Sequence, residues 1–297
     1  MSTSAESVSP FVSPDQAITA TVITDSSDSR LDDIRNLNKS DSRPDLPGGK
    51  GLVIAEGTLV VPRLIESRFP LRCVVGTSTK LHALYDALSD SAREQAAKVP
   101  WFQITRETMA AAAGFDMHRG LLATADRAEE LTVAEVLDCA RSLVILEGVG
   151  DHENIGAIFR NAAGMGVDGV LFGAACADPL YRRSVRVSMG HVLRTPFAKL
   201  DGTITTWQRS LSELKDAGFR IVSMTPGENS VPLWEAMDAD KVAILVGAEG
   251  PGLTEHAMAA TDVRARIPMS ERTDSLNVAT SAAIAFYERQ RMLAMRA

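Results

Sequence analysis

Residues Ile267 to Ile284 read IPMSERTDSLNVATSAAI and change character midway. Ile267 and Met269 close an apolar run, Ser270 to Asp274 are polar and turn-like, and from Asn277 small apolar residues recur at helical spacing as far as Tyr287. A strand therefore ends, a loop exposes backbone, and a helix begins. Ser275 and Asn277, flanking Leu276 at the mouth of that helix, are capping residue types. A helix N-terminus presents unpaired N–H donors and positive partial charge. Such a corner suits an anion or a polar ligand, but an ordinary capped helix carries the same residues, so the stretches upstream decide.

Working back from there, the elements alternate. LVILEGV (143–149), DGVLFG (168–173), PFAKL (196–200), FRIVSMT (219–225), KVAILVGAEG (241–250) and RARIPM (264–269) read as strands, separated by helical stretches such as NIGAIFRNAAGMG and YRRSVRVSMGHVL. TTWQRSLSELKDAG reads as one amphipathic helix ended by Gly218. The pattern predicts an α/β fold with a mostly parallel sheet and helices on both faces. In such sheets ligands sit beyond the carboxyl ends of the strands. Three turns at Asp151 to Gly156, Gly247 to Gly252 and Ser270 to Asn277 all follow strands and are expected to converge there.

In the first of these turns Asn154 lies near a helix start and Arg160 six residues on. Asn154 alone is equally an N-cap; the Arg160 guanidinium suits a phosphate or carboxylate, and its neighbours Phe159, Ala162 and Ala163 read as buried. In the second, Gly247, Gly250 and Gly252 permit close backbone approach or positive φ, and Glu249 is placed to orient a neighbouring side chain. No Lys follows in the P-loop pattern, which argues against a nucleotide triphosphate.

The N-terminal half has a different texture. Residues 1–45 are rich in Ser, Asp and Pro and are read as tail and linker, apart from SRLDDIRNL as a candidate short helix. Residues 46–127 form a small α/β unit without a glycine-rich phosphate fingerprint. Residues 128–141 are an acidic, helical linker and 142–297 the second domain. No apolar run spans a membrane and no signal peptide is evident, so a cytoplasmic protein is expected. Three scattered cysteines suggest neither disulfides nor a metal site. A formal net charge of −7 argues against a protein that grips nucleic acid over its whole surface, and leaves a local patch. Arg182, Arg183, Arg186 and Arg194 supply a basic stripe of that kind.

NIGAIFRNAAGMG, LVGAEGPGLT and IPMSERTDSLNVATSA, in that order, resemble the three motifs of the SpoU (TrmH) family of RNA ribose 2′-O-methyltransferases. The resemblance extends over residues 142–297, including RRSVRVSMGHVLRTP. GLVIAEGTLVV and FDMHRGLLAT look more distantly like the small ribosomal-protein-like RNA-binding domain of many members. The resemblance implies a SPOUT fold with a deep trefoil knot, a homodimer, and S-adenosylmethionine as cofactor, with no metal. It implies that Gly247, Ile267, Met269, Leu276 and Thr225 hold that cofactor. It also implies that Arg160 is catalytic, supported by Asn154, Glu249, Ser275 and Asn277, and that tRNA or rRNA is the substrate, gripped partly by the four arginines of the stripe. A non-catalytic RNA-binding or ribosome-assembly protein retaining the knotted fold is the alternative.

Overall fold

In a computed structural model of the chain, residues 8–10, 18–37, 51–227, 229–270 and 275–296 are described. Residues 271–274 of the polar loop expected at Ser270–Asp274, and about half of the expected N-terminal tail, lie outside them. The chain forms two compact units, Met1–Ala128 with Leu180–Arg194, and Glu129–Pro179 with Thr195–Ala297. These boundaries differ from those read from the sequence: the expected linker belongs to the second unit, and the arginine-bearing 180–194 segment groups with the first.

The first unit is a six-stranded mixed sheet. Its strands are β1 (Val8–Pro10), β2 (Thr19–Val22), β3 (Val53–Glu56), β4 (Leu71–Gly76), β5 (Trp101–Gln103) and β6 (Leu121–Ala125), in the order β1-β2-β5-β4-β6-β3. Residues 18–28 correct the expectation of a tail, while the short helix expected at SRLDDIRNL is a 3₁₀ helix, Ser29–Ile34. Strand β2 pairs in parallel with β5, and Ile23, Leu31, Ile34 and Leu37 are buried in one cluster with Ile54, Val75, Phe102 and Met109. An apolar island this short carries no period of its own, so only its pairing partner reveals it as a strand. The stretch LHALYDALSDSAREQAAK is covered by two helices, Ser78–Ala87 and Asp90–Ala96. The second starts where the Ser89 hydroxyl accepts from the Ala92 amide. YRRSVRVSMGHVL, read as one helix, breaks after Arg182–Val187. Met189 and Gly190 adopt φ of 55° and 82° before a 3₁₀ turn at His191–Leu193.

The second unit holds seven strands, β7 (Ser142–Glu147), β8 (Gly169–Phe172), β9 (Phe197–Lys199), β10 (Phe219–Met224), β11 (Val231–Pro232), β12 (Lys241–Gly247) and β13 (Val263–Arg266). Their order is β11-β13-β10-β12-β7-β8-β9, and every pairing is parallel. Strands buried on both faces must be apolar throughout, which is why LVIL and VAILV read as continuous runs. On one face Leu143, Ile145, Leu171, Ile221 and Leu245 form a core with Val136, Trp207, Leu211 and Leu214. The alternate residues Val144, Leu146, Val170 and Ile244 are equally buried. Phe159 of helix His152–Gly164 stacks on Phe172 with ring centroids 6.2 Å apart and meets Phe197 edge-on at 5.8 Å. The stretch read as one amphipathic helix after Thr205 is a 3₁₀ turn, Trp207–Ser210, running into helix Leu211–Asp216.

The amino ends of the strands are tied by one buried cation. Arg289, in the C-terminal helix Val278–Arg296, is 2% exposed. It donates to the carbonyls of Arg141, Met237, Ala239 and Asp240 and to the Ser142 hydroxyl, at 2.6–3.2 Å. Burial, ahead of its cationic neighbours Arg141 and Arg296, pushes its pKa below the usual arginine value.

Candidate active site

Three strands deliver their carboxyl ends to one place. Strand β10 ends at Met224 and Thr225, β12 at Gly247, and β13 runs on into Ile267 and Met269. Together they wall a cavity of about 620 Å³. Thr225, Gly247, Ile267, Met269 and Leu276, the five residues singled out for a cofactor, all line it, as do Glu249, Ser275 and Asn277. Sequence reasoning did not name Met224, Val246, Leu253, Met258 and Val278 among the walls, because apolar residues there are indistinguishable from core. The floor depends on a glycine. A Cβ on Gly247 would lie 2.5 Å from the backbone of both Gly252 and Leu253, so only glycine lets the 248–253 turn fold back across the end of β12. The turn closes with Gly252 N–H donating to the Ala248 carbonyl at 3.1 Å, and it carries Gly250 and Gly252 at φ of 87° and 69°.

Beside the cavity three polar side chains from three turns are joined. Asn277 caps the C-terminal helix: its Oδ1 accepts from the amides of Ala279 (2.9 Å) and Thr280 (3.1 Å). That fixes the amide orientation, so Nδ2 faces the other way and donates to Glu249 Oε1 and Asn154 Oδ1, both at 2.8 Å. Asn154 Nδ2 donates in turn to the same Glu249 oxygen at 2.9 Å. Asn154 is not the cap of its own helix; Asp151 is, accepting from Glu153 N–H at 2.9 Å. The side chain of Asn154 is thereby left for the cluster, where it is 7% exposed, whereas Glu249 is exposed. Glu249 Oε2 accepts no hydrogen bond among the described residues.

Arg160 is not part of this cluster. Six residues beyond Asn154 it stands about 9 Å along the helix axis and roughly 120° around it. It is exposed and makes no hydrogen bond or ion pair among the described residues. The expected basic stripe also differs in its charge. Within the first unit Arg182 pairs with Glu56, which is only 5% exposed, and lies over the Phe115 ring at 5.1 Å. Arg194 pairs with Glu66. The buried Glu56 carboxylate takes Arg182 as its ion-pair partner, and removing that cation would leave it uncompensated, so Arg182 is committed to the fold. Arg183 remains exposed and Arg186 half-buried. Among the described residues no group of three or more His, Cys, Asp or Glu is arranged to hold a metal, and no helix is long and apolar enough to cross a membrane.

Residues 141–287 match the model of the SpoU rRNA methylase family, a span that contains the cavity and the whole cluster. A relative from Mycobacterium tuberculosis, called an uncharacterised tRNA/rRNA methyltransferase, is 53% identical over 91% of each chain. The chain belongs to the SpoU methylase family. Within the family, a 23S rRNA (guanosine-2′-O-)-methyltransferase of Vibrio vulnificus is 30% identical over 64% of this chain and 78% of its own. Among solved structures, an AdoMet-bound rRNA methyltransferase from Sinorhizobium meliloti shares the fold, with a TM-score of 0.73 at 23% identity, over 92% of this chain and 98% of that one.

Proposed function

We propose that this SpoU-family chain is an S-adenosylmethionine-dependent RNA methyltransferase that methylates a ribose 2′-hydroxyl of tRNA or rRNA. The observation that carries the reading is the Asn154–Glu249–Asn277 cluster against a cavity at the carboxyl ends of the strands. The Vibrio vulnificus relative's name states 2′-O activity on guanosine, and the Sinorhizobium meliloti structure holds AdoMet. The cavity fits such a cofactor: its volume lies within the ~300–1,000 Å³ usual for small-molecule sites, and its walls combine backbone with apolar side chains. Thr225, Gly247, Ile267, Met269 and Leu276 would hold it there. When bound, S-adenosylmethionine supplies an electrophilic methyl group.

The residues of the chain align the nucleophile. Asn154 and Asn277 immobilise Glu249 through Oε1, and Oε2 is left to accept a hydrogen bond from the ribose hydroxyl, fixing which lone pair faces the methyl group. Ser275 adds a hydroxyl at the cavity wall. The Arg160 guanidinium offers a fork of donors and no acceptor, so it serves as a phosphate clamp that stabilises charge on the oxygen rather than as a base. Its separation from the cluster supports a homodimer in which a second copy supplies the arginine. Exposed Tyr287 and Met295 on the C-terminal helix are further reason to expect that dimer. We further propose the trefoil-knotted SPOUT topology, RNA capture by the first unit with Arg183 and Arg186, a looped or single-stranded target, and a cytoplasmic site of action, where such RNA is found. The three-way bonding of the cluster is unneeded in a protein that only binds RNA, which favours the enzyme.

The test is transfer of labelled methyl from S-adenosylmethionine to total tRNA and, separately, to rRNA, followed by nucleoside digestion. The expected product is a 2′-O-methylated nucleoside, absent with Arg160→Ala; label on a base, or none on either RNA, rejects the reading.

A further inference from the structure

Glu147 is the last residue of β7, paired in register with Gly247, and is 6% exposed. It has no ion-pair partner among the described residues. Its charge is instead met by dipoles. Oε2 accepts from Thr254 N–H at 2.8 Å, while Oε1 accepts from the Thr254 hydroxyl at 2.8 Å and from Trp207 Nε1–H at 3.0 Å. A buried carboxylate is retained only where donors saturate it, and here two of the three come from one residue.

That residue is placed to matter. Thr254 directly follows Gly252 and Leu253, whose backbone occupies the space a Gly247 side chain would need. Its hydroxyl gives its proton to Glu147 and accepts from Ala257 N–H at 3.2 Å, capping helix Glu255–Ala259. The cavity-lining turn is thus tethered at both ends: at Glu249 by the two asparagines, and at Thr254 by Glu147. Trp207, packed into the space left by Gly173, donates to the same oxygen as the Thr254 hydroxyl and fixes the carboxylate further.

We propose that Glu147 is a positioning residue of the cofactor cavity, holding Thr254 so that the 248–253 turn keeps the shape that receives S-adenosylmethionine. The inference rests on the reading that this cavity takes that cofactor. An isosteric amide cannot replace the carboxylate, because every group facing it is a donor and the amide nitrogen would meet one of them.

The experiment is calorimetric titration of S-adenosylmethionine into wild type, Glu147→Gln, Thr254→Val and Thr254→Ser. It is combined with steady-state kinetics and a proton NMR spectrum of the indole N–H region to confirm folding. Glu147→Gln is expected to weaken cofactor binding about tenfold or more and to raise the cofactor KM while leaving the RNA KM unchanged, with one of the three indole resonances moved. Thr254→Val follows in the same direction, and Thr254→Ser, which keeps the hydroxyl, restores wild-type affinity. Glu147→Gln folded and binding as wild type overturns the proposal. If that variant fails to fold, wild-type affinity in Thr254→Val overturns it. A wild type that binds no S-adenosylmethionine overturns the reading beneath it.

Discussion

At the amino ends of the parallel strands a buried cation, Arg289, gathers backbone carbonyls from the segments that precede β7 and β12. At the carboxyl ends a buried anion, Glu147, gathers an amide, a hydroxyl and an indole N–H. Among the described residues neither is paired with an opposite side-chain charge; each is solvated by protein dipoles. The difference lies in what surrounds them. Around Arg289 the acceptors are four backbone carbonyls and the Ser142 hydroxyl, all taken up by the guanidinium, so that end only holds. Around Glu147 the turn it anchors also walls a cavity and leads back to an exposed carboxylate with an unused oxygen, so that end can both hold and bind.

Removing the cation should have the largest effect. Arg289→Ala strands several buried carbonyls and should cost about 3–5 kcal/mol, read from the urea midpoint. A loss below 1 kcal/mol would show that the amino end is not locked in this way. At the opposite end, Gly247→Ala forces a Cβ into the Gly252–Leu253 backbone. Overpacking of that kind costs roughly 1–3 kcal/mol and should weaken S-adenosylmethionine binding more than tenfold, by calorimetry. A variant that loses stability yet binds normally would separate the floor from the function.

Asn277 sharpens the comparison, since it both caps a helix and holds the cluster. Asn277→Ala should cost roughly 0.5–2 kcal/mol and lower methyl transfer about a hundredfold. Asn277→Asp, which keeps the cap acceptor but sets a second carboxylate against Glu249, should restore most of the stability and none of the turnover. Thiol labelling gives the smallest effect. Cys139 lies exposed just ahead of β7, whereas Cys176 donates to the Leu146 carbonyl near its far end. Burial pushes both Cys176 and Cys73 up to about 11, so their thiolates are withheld at pH 8. Native protein at that pH should take one maleimide, at Cys139, and denatured protein three, by mass spectrometry.

Much of the second unit was legible because strands covered on both faces are long apolar runs and the helices between them keep their period. The same rule missed Thr19–Val22, whose four residues become a strand only beside β5, and Val231–Pro232, too short to show alternation. In the site, the glycines and capping residues announced themselves because backbone geometry restricts residue type. Glu147 and Arg289 did not. A charged residue in sequence reads as surface, and their partners are backbone groups and uncharged side chains from distant segments, which leave no pattern. Arg182 failed in the converse way: its neighbours suggested a free basic face, but a buried Glu56 far back in the chain had already claimed it.

The most direct test of the central claim, that the carboxyl-end cavity is the cofactor site, is a calorimetric titration of S-adenosylmethionine into wild type and Gly247→Ala. The account predicts one site per chain in the wild type and at least tenfold weaker binding in the folded variant. Equal affinity in the two, or no binding to the wild type, would contradict it.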